Sequence, residues 1–366
     1  MRNRVKTDFY SLSKDALAES LAGAGFPKFR AAQVFDAVYR HKIFSPADFP
    51  AIPKNLKDWL AENFEFAAGR LVGDRSSADE TKKYLFELSD GKFVECVLLE
   101  APTDDGDIRK TLCMSTQVGC ACGCKFCASG LNGFFRNLTA GEIVAELLPF
   151  VRDEIRNGKK SRVFEFENIV VMGMGEPLMN VDNLLAALGV LNSPDKFGFG
   201  ARRITVSTCG IADVLERLAD SDFPYRLAIS LHGATNETRS RIMPINKRFP
   251  LERLIPAAEK FAAANGRMIT LEYILIKNVN DSQADARALA KIAKRLHAHV
   301  NLIPYNRVEA LDWERPSGQR RAAFADFLKS ERVSCTLRRE KGSEIDAACG
   351  QLVLRRGDSR ELSRGA

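Results

Sequence analysis

The sequence predicts an α/β protein: a partial (β/α) barrel with a small helical accessory unit at its N-terminus and a β-hairpin linking the two. Two observations carry this reading. From about residue 110 onward, short runs of β-forming residues alternate with stretches of helical periodicity, and repeated βα units require a parallel sheet. Before that, residues 1 to about 66 place apolar residues at three- and four-residue spacing, the signature of amphipathic helices.

In order along the chain, the helical unit has expected helices over 15–23, 28–42 and 56–64, punctuated by Pro27, Pro46, Pro50 and Pro53. Residues 81–88 and 92–100 are rich in β-formers, and Ser89-Asp90-Gly91 between them is a turn signal, so the two form a hairpin. Residues 101–109 read as a polar loop. Strands are expected over 168–174, 203–207, 227–231, 268–276, 299–305 and 334–337. Helices are expected over 140–157, 181–192, 210–219, 250–264, 282–297 and 317–330. Thr139 and Glu142 have capping-box spacing at the start of the first. The resulting organisation is a helical unit over 1–69, a hairpin linker over 70–105, a core over 106–353 and a polar, frayed tail over 354–366. Active sites in such folds sit at the C-terminal ends of the strands, and several polar clusters here follow strands.

Composition narrows the class. Of 366 residues, 45% are hydrophobic and 28% charged, which excludes a disordered chain. The net charge of +7 permits a polyanionic partner without demanding one. No run approaches the roughly 18 apolar residues of a membrane span, and the first residues hold no signal-peptide core. The expected compartment is therefore the cytoplasm. Nine cysteines there do not read as a disulfide framework. Cys120, Cys122, Cys124 and Cys127 crowd into one short segment, which points to metal or redox chemistry. A structural zinc site commonly uses two separated ligand pairs, and no partner CxxC or HxxxH is present. A fully ligated [4Fe–4S] cluster takes four cysteines. The CxxxCxxC spacing of Cys120, Cys124 and Cys127 supplies three and leaves one iron open. Cys122 breaks that spacing and reads as a spare thiol pointing away.

CxxxCxxC with Phe126 before the last cysteine resembles the motif of radical S-adenosylmethionine enzymes. Five further segments narrow the resemblance. Val171-Met-Gly-Met-Gly-Glu-Pro-Leu178, Ser207-Thr-Cys-Gly210, Ser230-Leu-His232 and Ile303-Pro-Tyr-Asn306 each close a strand, and Ile345-Asp-Ala-Ala-Cys349-Gly-Gln-Leu352 lies near the C-terminus. In this order they resemble the RlmN/Cfr family of radical RNA methyltransferases over nearly the whole chain. The resemblance implies a partial radical-enzyme barrel and a [4Fe–4S] cluster on Cys120, Cys124 and Cys127. It also implies S-adenosylmethionine bound by Gly175, Glu176, Ser207, Ser230, Leu231, His232 and Asn306. Taken singly these signals are weak: a lone histidine is more often structural, and Glu176-Pro177 alone could start a helix. Gly173 and Gly175 would let backbone approach a ligand closely.

The resemblance further implies a mechanism. Cys349 takes a methyl group from one S-adenosylmethionine. The adenosyl radical from a second removes a hydrogen from it, and the sulfur-bound methylene adds to an adenine carbon. Cys113 then attacks Cys349, forming a transient disulfide and releasing the product. Glu95 matches the family's proton acceptor. By local sequence alone, Glu95 would sit on a strand's solvated face, and Cys113 and Cys349 could be packing thiols. Cys96, Cys209 and Cys335 read as small core or near-core cysteines.

The implied substrates are 23S rRNA and some tRNAs, with a flavodoxin-type electron donor and a monomeric enzyme. Met174-Gly-Glu-Pro177 resembles the branch that methylates adenine C2, whereas Ser343-Glu344 departs slightly from it. The alternatives are a C8 methyltransferase of the resistance branch and, more remotely, a non-enzymatic iron–sulfur or zinc RNA-binding protein. Basic pairs at 82–83, 109–110, 202–203, 320–321, 338–339 and 355–356, with Lys159, Lys160 and Arg162, have the chemistry of phosphate contacts. Such pairs are nevertheless common on solvated surfaces.

Overall fold

The computed structural model describes residues 6–66, 68–103, 105–156, 159–307, 311–338 and 342–352; the tail expected over 354–366 lies outside them. Its centre is one ten-stranded sheet. The strands are β1 (Gly69–Ser76), β2 (Lys82–Leu88), β3 (Phe93–Pro102), β4 (Ile108–Met114), β5 (Asn168–Val171), β6 (Ile204–Thr208), β7 (Arg226–Ser230), β8 (Thr270–Leu275), β9 (His299–Pro304) and β10 (Cys335–Leu337). Their order in the sheet is their order in the sequence. β4 to β10 are all parallel, and β1 to β4 are joined antiparallel. β1 and β10 do not pair with each other, so the barrel is partial.

The parallel strands form where the sequence supplies nearly continuous apolar runs. Leu227, Ala228 and Ile229 in β7, and Tyr273, Ile274 and Leu275 in β8, are buried at successive positions. Burial on both faces is what helices packed on a parallel sheet produce. Those helices include α5 (Val181–Asn192), α6 (Ala212–Ala219), α8 (Leu251–Asn265), α9 (Gln283–Arg295) and α10 (Gly318–Ser330), with the shorter α7 (Asn236–Ile242) after β7.

The hairpin forms as expected, but it does not stand apart from the sheet. β3 pairs along β4 with Val97 opposite Cys113 and Leu98 opposite Leu112. Val94, Cys96, Val97 and Leu98 are buried on both faces of β3, which a free-standing linker could not achieve. β4 itself begins inside what reads as a polar loop. Its buried residues, Leu112 to Met114, follow a charged start at Arg109 and Lys110.

The helix expected over 140–157 is corrected. Only α4 (Ala140–Ala145) is helical, opened by the capping box in which Thr139 and Glu142 exchange hydrogen bonds. Pro149 then stands in a short 3₁₀ turn, and Val151–Arg156 pairs antiparallel with Lys159–Phe164. Asn157-Gly158 lies between those strands in sequence, and Asn-Gly is a strong hairpin dipeptide.

Three N-terminal helices, α1 (Lys14–Gly23), α2 (Arg30–Phe35, continuing as a π-helical turn over Asp36–Arg40) and α3 (Lys54–Asn63), surround an aromatic cluster. Phe9 stacks on Phe66 with ring centroids 4.3 Å apart and touches Phe35 and Tyr39. The unit docks on the helical layer: Asp8 accepts the Gly141 N–H at 2.5 Å, and Tyr39 meets Phe197 edge-on. No helix among the described residues is long and apolar enough to cross a membrane.

The capping box opens α4 just after the strand Phe134–Asn137, which follows the segment that carries the cysteines. Thr139→Ala should cost about 1 kcal/mol in chemical denaturation, with Thr139→Ser close to wild type.

Candidate active site

The C-terminal ends of the parallel strands open into one cavity. Beyond β4 the chain makes a short strand, Gln117–Gly119, paired with Phe134–Asn137, and the cysteine loop lies between them. Cys120 N–H donates to Gly133 O at 2.9 Å and Lys125 N–H to Ile242 O at 2.9 Å, which holds the loop in place. Cys120, Cys124 and Cys127 all line the cavity. So does Cys122, which is buried and not turned away as expected; its Sγ lies 3.1 Å from that of Cys209. Cys209 is therefore a cavity residue and not simply a core thiol.

The loop after β5 supplies Gly173, Gly175 and Glu176. A Cβ on Gly173 would meet Ser115 Oγ at 2.5 Å, and one on Gly175, where φ is +106°, would meet Gln117 Cβ at 2.7 Å. Here the close approach is to the neighbouring chain segment. Glu176 is buried, and its carboxylate accepts from Leu178 N–H (2.9 Å), Thr208 Oγ1 (2.6 Å) and Cys209 N–H (2.7 Å). Burial raises its pKa, and these bonds oppose the rise. Glu176 thus clamps the loop after β5 to the one after β6 while facing the cavity.

Ser207 and Ser230 converge there, with hydroxyl oxygens 3.4 Å apart. His232 takes φ of +51°, a left-handed conformation that non-glycine residues seldom adopt. Its Nδ1 accepts the Ile274 N–H at 3.1 Å, so the neutral ring carries its proton on Nε2. Burial and the Arg239 charge push it down to about 3. Leu231 is buried and contributes its backbone N–H to Glu272 O. Asn306 lies in an adjoining pocket, where its amide donates to Cys349 O at 3.2 Å and its Oδ1 accepts from Arg315.

Cys349 stands where the two pockets meet, and Cys113 lines the second. Cys349 is exposed and Cys113 buried. Burial pushes the Cys113 thiol up, and Arg338 pulls it the other way. The Arg338 guanidinium reaches to 4.0 Å from Cys349 Sγ, and that thiol, with Glu272 and Cys113, holds the arginine charged. Sequence reasoning missed both Arg338 and Glu272. Glu272 is buried on β8 and accepts from Asn301 at 2.8 Å; an acid inside an apolar parallel strand was its available signal. Arg338 directly follows β10, but in sequence it looks like one half of a basic pair.

Glu95 does not lie on a solvated face. It is 2% exposed and ion-paired at 3.0 Å with Lys83, itself buried. Val97 is directly opposite Cys113, so Glu95, two residues earlier, shares the sheet face on which Cys113 lies. Lys83, Lys110, Arg320 and Arg338, all drawn from the basic pairs, are engaged with acids or the Cys349 sulfur. Among the described residues, the one set of three ligand atoms within 4.8 Å of one another is Cys122, Glu176 and Cys209. The sulfurs of Cys120, Cys124 and Cys127 spread wider than that, which suits a multi-iron cluster better than a single zinc ion.

A model of the Radical SAM superfamily matches residues 114–290. The probable dual-specificity RNA methyltransferase RlmN 3 of Opitutus terrae is 52% identical over 357 residues, 96% of each chain. This chain belongs to the RlmN family of radical SAM RNA methyltransferases. Another relative, the probable dual-specificity RNA methyltransferase RlmN of Akkermansia muciniphila, is 48% identical over 94% of each chain. The crystal structure of a radical SAM methyltransferase from Sphaerobacter thermophilus matches with a TM-score of 0.85 and 39% identity, over 94% of this chain and 98% of that one. An RlmN-family enzyme uses a [4Fe–4S] cluster and S-adenosylmethionine. The three thiols of the loop and the polar strand ends around them fit that pair.

Two outcomes follow from the cavity. Gly175→Ala should destabilise the fold by about 1–3 kcal/mol, because its new Cβ has no room; thermal or chemical denaturation reads this. His232 has a folded pKa below its ordinary 6.5, so the stability it contributes is complete above that value and is lost as pH falls toward 3. The melting temperature should therefore drop between about pH 6.5 and about pH 4, and His232→Gln should flatten part of that drop.

Proposed function

We propose that the chain methylates C2 of an adenine in 23S rRNA at the peptidyl-transferase centre, and of the adenine beside the anticodon in some tRNAs, through a methyl group carried on Cys349. The observation that carries this reading is the placement of Cys349 between the cysteine-loop cavity and the pocket of Cys113. When bound, the cluster and S-adenosylmethionine supply a transferable methyl group and an adenosyl radical.

The chain's own groups do the rest. Arg338 lies 4.0 Å from Cys349 Sγ, beside the sulfur that displaces the methyl group from the sulfonium. Asn306 and the Gly350 carbonyl bond hold Cys349 at the cavity wall. Ser207, Ser230 and the Nε2–H of His232 hydrogen-bond the cofactor. Activated by loss of a hydrogen, the methyl carbon on Cys349 bonds to the adenine ring. Glu95 takes the ring proton, the unpaired electron passes to the cluster, and Cys113 attacks Cys349 Sγ: the S–S bond forms, the S–C bond breaks, and the freed CH2 carbon takes up a proton to become the methyl group of the released base. Pro177 in Met174-Gly-Glu-Pro177 favours C2 over C8. We place the enzyme in the cytoplasm as a monomer served by a flavodoxin-type donor, with the N-terminal helical unit gripping folded RNA.

The test is an anaerobic reaction of the reconstituted enzyme with S-adenosylmethionine, a reductant and unmodified 23S rRNA fragment, read by nucleoside mass spectrometry. The expected product is 2-methyladenosine; 8-methyladenosine, or no methyladenosine, would reject the proposal. Cys349→Ala should abolish RNA methylation. Cys113→Ala should accumulate a methylene-bridged protein–RNA adduct, and free methylated RNA at the normal rate would exclude Cys113 as the resolving thiol.

A further inference from the structure

Cys122 and Cys209 have no part in the chemistry above. They come from different segments, Cys122 from the cysteine loop and Cys209 from the turn after β6. Both are buried and both line the cavity. Their sulfurs are 3.1 Å apart, and a disulfide bond is about 2.05 Å long, so bonding requires a closure of only about 1 Å. Cys209 is pinned from both sides. Its N–H donates to Glu176 at 2.7 Å, and its carbonyl accepts from Arg239, which is fully buried and also bonds the Leu231 carbonyl. Cys122 is followed by Gly123, which takes a φ of +60°, so the loop side has the freer backbone.

We propose that Cys122 and Cys209 are a reversible disulfide site that closes when hydrogen peroxide enters the cavity of the cluster-free chain. Glu176 lies within reach of both sulfurs. Its two carboxylate oxygens, however, already accept three hydrogen bonds, so the pair is a dithiol and not a metal site. The steps balance. One thiol sulfur attacks peroxide, the O–O bond breaks, and a sulfenic acid and water form. The second sulfur attacks the sulfenic sulfur; the S–S bond forms, the S–O bond breaks, and hydroxide leaves with the second thiol's proton as water. Two electrons pass from the two sulfurs to the peroxide, and a dithiol reductant reverses the change. The bond would fasten the cysteine loop to the turn that follows Ser207 and Thr208 at the end of β6. It would also withdraw Cys122, the one surplus thiol inside the CxxxCxxC segment.

The experiment uses the full-length, cluster-free protein carrying Cys113→Ala and Cys349→Ala, which removes the disulfide expected of catalysis. The reduced protein is exposed to hydrogen peroxide, alkylated, digested without reductant and mapped by mass spectrometry. The expected result is a Cys122–Cys209 linked peptide and the loss of two alkylatable thiols, both reversed by dithiothreitol. A further Cys209→Ser change should remove the linked peptide without diverting Cys122 to Cys120. Recovery of both cysteines in alkylated form, or a link from Cys122 to Cys120, would overturn the proposal. So would a bound zinc ion that shields Cys122 and Cys209 from alkylation before peroxide is added. Because Cys122 and Cys209 are both read directly in the parent protein, folding failure of the Cys209→Ser variant leaves the test intact.

Discussion

The site exists because the C-terminal segment returns onto the cysteine loop. Ala128 N–H donates to Gly350 O at 2.7 Å, and Ser129 Oγ to Leu352 O at 2.6 Å. Asn306 adds a bond to the Cys349 carbonyl from the end of β9. These bonds fix Cys349 relative to the loop and to Cys113, with Gln351 Nε2 adding a bond to the Arg307 carbonyl. With them, a thiol near the end of the chain becomes the wall between two pockets. Gly350, at φ of +84°, makes the turn that puts its carbonyl there.

Around that junction, buried charges are arranged to hold backbone as well as to face ligands. Arg239 joins the turns after β6 and β7 by bonding the carbonyls of Cys209 and Leu231. Glu176 joins the loops after β5 and β6. Burying such groups is costly unless every donor and acceptor is met, and here each charge is satisfied largely by main chain at a strand end. The strand ends are thereby fixed relative to one another before any ligand binds, which is the preorganisation that positioning chemistry requires. Arg338 differs: its neighbours are Cys349, Glu272 and Cys113, so its charge is directed at two thiols and an acid.

Most of the parallel strands were legible because each is a short apolar run bounded by polar residues. The helices between them were legible from their period. β4 was not, since its first half is charged and its pairing with β3 is non-local. The hairpin over 151–164 was obscured because residues up to 157 continue the apolar spacing of α4, whereas Pro149 and Asn157-Gly158 argue against a helix. Glu95 illustrates the limit of strand logic. Alternation predicts two faces but not whether either is solvated, and here the barrel interior covers the face that carries Glu95 and Lys83.

The sequence by itself determined the fold class, because that depends on local periodicity, and its ordered motifs carried the resemblance to the family that the relatives show. Only the tertiary structure decided what surrounds them. It paired Lys83 with Glu95, aimed Arg338 at Cys349, turned Asn306 toward the Cys349 carbonyl and set Cys122 against Cys209. Two of these join segments 43 and 87 residues apart, Asn306 to Cys349 and Cys122 to Cys209, and the other two cross between neighbouring elements. Their distances are fixed by how the sheet curves and where the C-terminal segment returns, and no local pattern encodes that.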